Sequence, residues 1–277
     1  MCCDLIWVEW KQLTRDLAER RRETIMKILV TNDDGIEADG IAVLEEIARS
    51  ISDDVWVVAP DAEHSGAGHS LSLHTPLRLK QKGPRHFAVA GTPTDSVLMA
   101  MLEVLPEKPD LLLSGINRGV NVAEDVTYSG TIAAAMEGTL LEVPSIALSM
   151  QWKPGEEMLW DTPRHFAPDI IRQLVKIGWP RGNLMNVNFP HSTPKEVGMI
   201  KICPQGRRKI GEKLEKRQDP KGRDYFWIGG PSDVPYDDLP GADYMQILKG
   251  NITITPLSMD LTNYRVLEDV REHFEAE

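Results

Sequence analysis

The chain has 277 residues, and its 31 Lys and Arg against 42 Asp and Glu give a formal net charge of −11 at pH 7. This acidity disfavours a broad surface for the phosphates of duplex nucleic acid, so a small anion would have to be held by a metal ion. Three cysteines, at positions 2, 3 and 203, suit neither a disulfide framework nor a zinc cluster, and no apolar run approaches membrane-spanning length. We therefore expect a globular protein of the reducing cytoplasm that does not bind membranes.

The first 25 residues differ in pattern from the rest of the chain. Trp7 and Trp10 precede a charged run, and no alternation of strands and helices is visible before Met26. We predict that residues 1–25 are a dispensable extension and that residues 26–277 form a single domain.

Apolar runs and helix-spaced apolar residues alternate from residue 28 onward. Residues 28–30 and 55–59 are the first two apolar runs, and apolar residues at helical spacing over 41–47 lie between them. Further strands are predicted at 87–90, 111–113, 146–148, 184–189, 199–202 and 252–257, and further helices near 97–105, 132–138, 170–175 and 266–270. The alternation predicts an α/β fold of the Rossmann-like type, with a mostly parallel sheet and helices on both faces.

Two adjacent carboxylates, Asp33 and Asp34, follow the first predicted strand. In an open parallel sheet the carboxyl ends of the strands line the ligand crevice. Like charges side by side raise each other's pKa unless a cation lies beside them, and Mg²⁺ or Mn²⁺ would satisfy both. The same tetrapeptide, Asn-Asp-Asp-Gly, is also an ordinary polar turn, so the pair alone does not decide between the two interpretations.

The loop after the second strand, residues 61–70, is rich in glycine and polar residues. Its glycines do not follow the first strand, where a dinucleotide-binding fingerprint would place them, which argues against a nicotinamide cofactor. His64, His69 and the nearby His74 could hold a metal, although loop histidines are more often solvated.

The predicted helix that starts after Ser129 has a small-residue first turn. Its unpaired N–H groups, with the hydroxyls of Ser129 and Thr131, would form a cradle for phosphate. Ordinary helix capping by the same hydroxyls is the alternative. Further on, residues 204–250 are rich in Gly, Pro and Asp around the aromatic run Tyr225-Phe226-Trp227, and we predict a protruding β arm that contacts another subunit.

With these segments assembled, the chain from Met26 to near its C-terminus resembles the survival-protein SurE family of metal-dependent 5′-nucleotidases. The motifs that carry the resemblance are residues 31–36, 58–61 with 65–66, 91–95, 114–119 with Asn121, 128–131 with 133–138, and 254–257. Their number and order make the resemblance specific.

The resemblance implies one divalent cation per subunit, held by Asp33, Asp34, Ser65 and Asn117. Oxygen ligands of these kinds suit Mg²⁺ or Mn²⁺ better than zinc. It further implies a homo-oligomer, dimer or tetramer, whose C-terminal arms exchange between subunits. The implied reaction is hydrolysis of nucleoside 5′-monophosphates to nucleoside and phosphate in the cytoplasm, with 3′-nucleotides and short polyphosphates as further candidate substrates.

On that reading, Asn121, Ser129 and the helix N-terminus at Gly130 and Thr131 bind the phosphate oxygens. Water would be the nucleophile, with Asp125 orienting it or taking its proton. Some family members carry a histidine proposed to assist proton transfer near residues 260–264, where this chain has Asn263 and Tyr264. This departure argues against a general acid from that segment.

Two other classes of function remain open from the residues. Paired acids after the first strand also open the Mg²⁺ pocket of receiver domains, but the required Asp and Lys at the later strand ends are missing and the chain is too long. The second class is a nucleotide-binding scaffold without turnover. Phosphate release in the presence and absence of a chelator separates these alternatives from the enzyme.

Overall fold

The structure is a computed structural model that describes residues 26–208, 214–229, 239 and 241–275. The predicted extension, residues 1–25, and parts of the predicted arm lie outside the described residues. Within them, nine strands form one sheet in the order β3-β4-β2-β1-β5-β6-β7-β11-β8, and β9 and β10 form a separate hairpin. The strands are β1 Lys27–Thr31, β2 Asp54–Pro60, β3 Leu79–Gly83, β4 His86–Val89, β5 Leu111–Arg118, β6 Ser145–Met150, β7 Asn183–Phe189, β8 Ile200–Ile202, β9 Leu214–Gln218, β10 Asp224–Ile228 and β11 Ile252–Ser258.

The centre of the sheet consists of six parallel strands, β4-β2-β1-β5-β6-β7. This is the strand order of the doubly wound Rossmann fold, in which the order reverses between the first strand and its neighbour on the other side. Antiparallel strands flank the parallel set, β3 beside β4 and β11 beside β7. The predicted fold class is confirmed, and the β3–β4 hairpin is an addition that the apolar pattern missed because β3 is largely exposed.

Helices cover both faces of the sheet, as predicted. They are α1 Asp39–Arg49, α2 Pro93–Met99 with a π-helical turn Ala100–Val104 after it, α3 Gly130–Leu140, α4 Asp161–Ile177, α5 Asp243–Leu248 and α6 Tyr264–Phe274. Side chains of β1 alternate between the two faces, so Ile28 and Val30 pack with α1 and α4 whereas Leu29 packs with α2 and α3. None of the described helices is long and apolar enough to cross a membrane.

Close packing of α1 against β5 depends on Gly40. A Cβ atom at this position would lie 2.0 Å from the carbonyl oxygen of Ile116, so any side chain would push the helix away from the sheet.

Neither the β9–β10 hairpin nor α6 contains a buried residue. All ten hairpin strand residues are exposed, among them Phe226 at 57% and Trp227 at 59%. The amphipathic α6 exposes Tyr264, Val266, Val270 and Phe274. Within the predicted arm, the described hairpin is therefore peripheral, whereas residues 204–208 and α5 dock onto the domain beside the crevice.

Candidate active site

Asp33, Asp34 and Asn117 lie at the carboxyl ends of β1 and β5. These strands are neighbours in the sheet, and the strand order reverses between them. Ligands of doubly wound folds bind in the crevice outside this point. The structure therefore places the three predicted ligands where the fold is built to receive a ligand.

Two separate parts of the chain, α3 and the loop after β2, hold Asp33 in place. The Thr131 hydroxyl of α3 donates a hydrogen bond to Asp33 Oδ1 at 2.5 Å, and the His64 N–H donates to the Asp33 carbonyl oxygen at 2.8 Å. A Cβ atom at Gly130 would lie 2.7 Å from Asp33 Cβ, so only glycine lets α3 begin this close. Burial raises the pKa of Asp33, and the hydrogen bonds from Thr131 oppose that rise.

Asp34 is half-buried next to Asp33. Burial, and then the charge of Asp33, raise the pKa of Asp34 to about 6, while the backbone N–H of Arg118 partly opposes this by donating to the carboxylate. Two adjoining carboxylates that both resist ionisation form a donor set that a dication would stabilise. The chemistry of the pair thus fits the predicted metal.

Ser65 and Asn117 complete the predicted ligand set. The His64–Asp33 backbone bond brings Ser65 beside the carboxylates, and Ser65 Oγ donates to Glu63 Oε1 at 2.8 Å. Asn117 Nδ2 donates to the carbonyl oxygen of Gly119 at 2.9 Å, which turns its Oδ1 atom to the opposite side. Carboxylate, hydroxyl and amide oxygens suit a hard cation, and no cluster of three or more His, Cys, Asp or Glu that could hold a metal occurs among the described residues.

Two adjoining cavities, of about 600 and 630 Å³, meet at these residues. Ser65 and Arg118 line both cavities, Asp34 lines the smaller, and Asp33 and Asn117 line the larger. The structure thus brings all four predicted metal ligands together around one junction. The Arg118 guanidinium lies 4.5 Å from the centre of the Trp152 ring. The sequence alone indicated no role for Arg118.

The larger cavity also contains the predicted phosphate-binding residues Asn121 and Ser129. Ser129 is the N-cap of α3, and its Oγ accepts a hydrogen bond from the Ile132 N–H at 3.1 Å, so the hydroxyl hydrogen can still donate to a ligand. Capping and phosphate binding are therefore compatible for Ser129. Thr131 differs, because its hydroxyl donates to Asp33 and is not directed at the cavity.

Asp125 is buried and forms a two-pronged ion pair with Arg208. Arg208 Nε lies 3.1 Å from Asp125 Oδ1, and its Nη2 contacts Oδ2. Burial raises the pKa of Asp125, and the Arg208 guanidinium opposes that rise. Both residues line the larger cavity, so the structure adds Arg208 to the site. Nothing in the sequence pointed to Arg208, because it lies in a stretch without periodicity, 83 residues after Asp125.

The remaining candidates line neither of the two cavities. His69 Nε2 is 2.9 Å from Glu137 Oε2 on α3, and His64 contributes its backbone N–H. Asn263 caps α6 by accepting from the Val266 N–H, and Tyr264 donates to Asp260. Both Asn263 and Tyr264 are exposed and line neither of the two cavities.

The fold and the site define a doubly wound α/β protein with carboxylate, hydroxyl and amide oxygens and a helix N-terminus at its topological switch point. The family model described as Survival protein SurE matches residues 28–212. The chain belongs to this family.

Similar proteins agree with the assignment. A protein of Paramagnetospirillum magneticum named 5′-nucleotidase SurE is 53% identical over 239 residues, covering 86% of this chain and 92% of that protein. A protein of Brucella canis with the same name is 51% identical over 245 residues, covering 87% of this chain and 95% of that protein. The crystal structure of the SurE protein from Aquifex aeolicus superposes with a TM-score of 0.78 at 38% identity, covering 89% of this chain and 99% of that one.

Proposed function

We propose that this protein is a 5′-nucleotidase, a metal-dependent phosphomonoesterase that converts nucleoside 5′-monophosphates to nucleoside and phosphate. The observation that carries the proposal is the meeting of Asp33, Asp34, Ser65 and Asn117 beside the N-terminus of α3. The names of the two relatives point to the same reaction.

Asp33, Asp34, Ser65 and Asn117 would hold one divalent cation, Mg²⁺ or Mn²⁺. A bound dication supplies charge for the phosphoryl oxygens and lowers the pKa of a coordinated water. The protein prepares the site by burying Asp33 against α3, so that its position does not change when the ligand binds.

The phosphate oxygens would be bound by Asn121, by the Ser129 hydroxyl and by N–H groups of the first turn of α3, at Gly130 and Thr131. The positive end of the helix dipole favours a dianion there. Thr131 has a second task, because its hydroxyl orients Asp33.

Asp125 is proposed to orient the attacking water. Because Arg208 holds both of its oxygens, Asp125 would act as part of an ion pair, with the guanidinium next to the anion-binding wall. Removing a proton from water would require that pair to loosen, so orientation fits the geometry better than general-base catalysis.

The nucleoside part of the substrate would lie against the apolar side of the larger cavity. Val120, Leu214 and Ile228 are apolar residues of this cavity, and Tyr128 lines it as well. Leu214 and Ile228 are paired at the base of the β9–β10 hairpin, so the hairpin contributes to the wall. An apolar wall facing a phosphate site suits a base and a ribose.

The exposed aromatic residues of the hairpin support a homo-oligomer, dimer or tetramer. A lone hairpin is marginally stable in water, and Tyr225, Phe226 and Trp227 gain most by packing on a second subunit. We also propose a cytoplasmic location, on the grounds of cysteine usage, and a dispensable N-terminal extension of residues 1–25.

The test is phosphate release from a panel of 5′- and 3′-nucleotides and short polyphosphates with Mn²⁺ or Mg²⁺. We expect turnover of nucleoside 5′-monophosphates that stops on addition of EDTA and returns with excess metal. Metal-dependent binding of nucleotide without phosphate release would support the scaffold alternative, and turnover after exhaustive chelation would contradict the metal site.

A further inference from the structure

Four buried polar side chains meet behind the wall of the larger cavity, and the proposed chemistry uses only one of them. They are Asn121, 6% exposed, and Ser149, Asn186 and Asn188, each 0% exposed. Ser149 lies on β6, and the last two lie on β7.

Ser149, Asn186 and Asn188 are each hydrogen-bonded to Asn121. Its backbone N–H donates to Asn188 Oδ1 at 2.8 Å, and its carbonyl oxygen accepts from Asn186 Nδ2 at 2.7 Å and from Asn188 Nδ2 at 3.1 Å. Its side-chain Nδ2 donates to Ser149 Oγ at 2.8 Å. Both the main chain and the side chain of Asn121 are therefore held.

The packing of the sheet does not require polar residues at these positions. Alternation along β7 places Leu184, Asn186 and Asn188 on the face that α3 covers, where Leu184 is part of the apolar core. Strands buried on both faces are normally apolar throughout, and each buried amide destabilises the fold unless it is bonded. Asn188 is the direct register partner of Ser149 on β6, so the polar positions form one patch under the Asn121 loop.

We propose that Ser149, Asn186 and Asn188 are positioning residues that hold Asn121 against the phosphate, an inference that rests on the proposed function. The two asparagines clamp the peptide groups on either side of Asn121. Ser149 takes one hydrogen of the Nδ2 group, and the second hydrogen is thereby directed away from β6 to bind a phosphate oxygen.

A double-mutant cycle between Ser149→Ala and Asn121→Ala tests the proposal. Ser149→Ala removes one hydroxyl and leaves the backbone bonds of Asn121 intact, so the fold should persist. We expect kcat for a nucleoside 5′-monophosphate at saturating Mn²⁺ to fall about tenfold and the inhibition constant of inorganic phosphate to rise about fivefold. In the Asn121→Ala background the same substitution should change neither constant by more than about twofold.

Asn183→Ala is the matched control. Asn183 lies on the same strand and donates to the carbonyl oxygens of Pro180 and Arg181, so its removal should leave both constants unchanged. A Ser149→Ala variant with lower kcat but an unchanged phosphate constant would indicate only a smaller folded fraction and would overturn the proposal. Losses that add independently in the cycle would overturn it as well.

The cycle also separates this inference from the proposed function. If the wild type releases no phosphate from any nucleotide, the proposed function fails, and the cycle is measured as calorimetric binding of inorganic phosphate with Mn²⁺. Coupling between Ser149 and Asn121 in that measurement still supports the positioning role. Independent effects, or a wild type that binds no phosphate, would contradict it.

Discussion

The carboxylate site at the ends of β1 and β5 differs from the β9–β10 hairpin in the kind of side chain that each buries or exposes. In the site, Asp33 is 4% exposed and is held by bonds from α3 and from the loop after β2. In the hairpin, Phe226 and Trp227 are more than half exposed, and the strand residues bond mainly to each other. Polar groups are thus buried where chemistry is proposed, and aromatic groups are exposed where assembly is proposed.

The contrast shows that the two regions depend on binding partners for different physical reasons. Burying charge destabilises a fold unless a partner or a cation compensates, so the site depends on its ligand. Exposing aromatic surface reduces solubility unless a second chain covers it, so the hairpin depends on its partner. Each region is complete only with something that binds to it, and Phe226 and Trp227 line neither of the two cavities, so these aromatic residues can be changed without removing a residue of the site.

The largest effect is expected from Asp34→Asn, which removes a charged ligand and keeps the shape of the side chain. Activity should fall at least about 1000-fold and metal affinity should be lost, because Asp33 would be the one charged group left among the four proposed ligands. The metal-free variant should be as stable as the metal-free wild type or more stable, since Asp33 loses its repelling neighbour.

The measurements for Asp34→Asn are phosphate release, metal titration and urea unfolding, with the exposed Asp53→Asn as control. Near-normal turnover by Asp34→Asn would indicate that Asn-Asp-Asp-Gly is only an ordinary polar turn and would contradict the metal site.

The second effect concerns assembly. Replacing Phe226 and Trp227 together by serine should weaken self-association at least about 100-fold, because aromatic anchors dominate interface energies. Sedimentation velocity over a concentration series measures this, and Lys221→Ala in the turn of the hairpin is the control. Affinity for Mn²⁺ should be unchanged if the two regions are independent. A wild type that sediments as a monomer at micromolar concentration would disprove the oligomer.

A third prediction addresses the ion pair that links residues 204–208 to the site. Arg208→Met should lower the free energy of unfolding by about 3 kcal/mol, because Asp125 would be left buried without its partner. Adding Asp125→Asn should restore most of the stability. Arg223→Met, which breaks an exposed pair with Asp219, should have no measurable effect on stability.

Activity of the folded Asp125→Asn/Arg208→Met double variant then decides the role of Asp125. We expect low kcat with normal metal affinity if Asp125 orients the water. Wild-type kcat in the double variant would show that the pair is only structural.

The smallest expected effect is the pH dependence of the metal-free protein. The pKa of Asp34 is raised from 3.8 to about 6 in the folded state, so the folded protein binds more protons than the unfolded chain between these values. Its contribution to stability is therefore present at low pH and lost as the pH rises through about 6. The urea midpoint without metal should fall between about pH 4 and 6.

Two comparisons isolate this effect. The pH trend should be weaker in Asp34→Asn, and saturating Mn²⁺ should remove it because bound metal favours the ionised carboxylates. An identical trend in Asp34→Asn would assign the titration to another group.

Much of the fold and part of the site follow from local features of the chain. Apolar runs ending at Thr31 and near Ser114 mark buried strands because both faces of a parallel sheet are covered. The carboxylate pair, Asp33 and Asp34, is visible because its members are adjacent and follow directly after a strand. Ser129 is visible because capping depends on residues within one turn of the helix. Such local features can be recognised without knowing which distant residues become neighbours in the folded protein.

Other features were decided only when distant segments met. The partner of Asp125 is Arg208, 83 residues later, and the main chain of Asn121 is held by Asn186 and Asn188, 65 and 67 residues later. The Thr131 hydroxyl could serve phosphate or Asp33, and the register of α3 against β1 selects Asp33. These contacts depend on which strands become neighbours, and that order is set by the packing of the whole sheet, so no short stretch of sequence contains it.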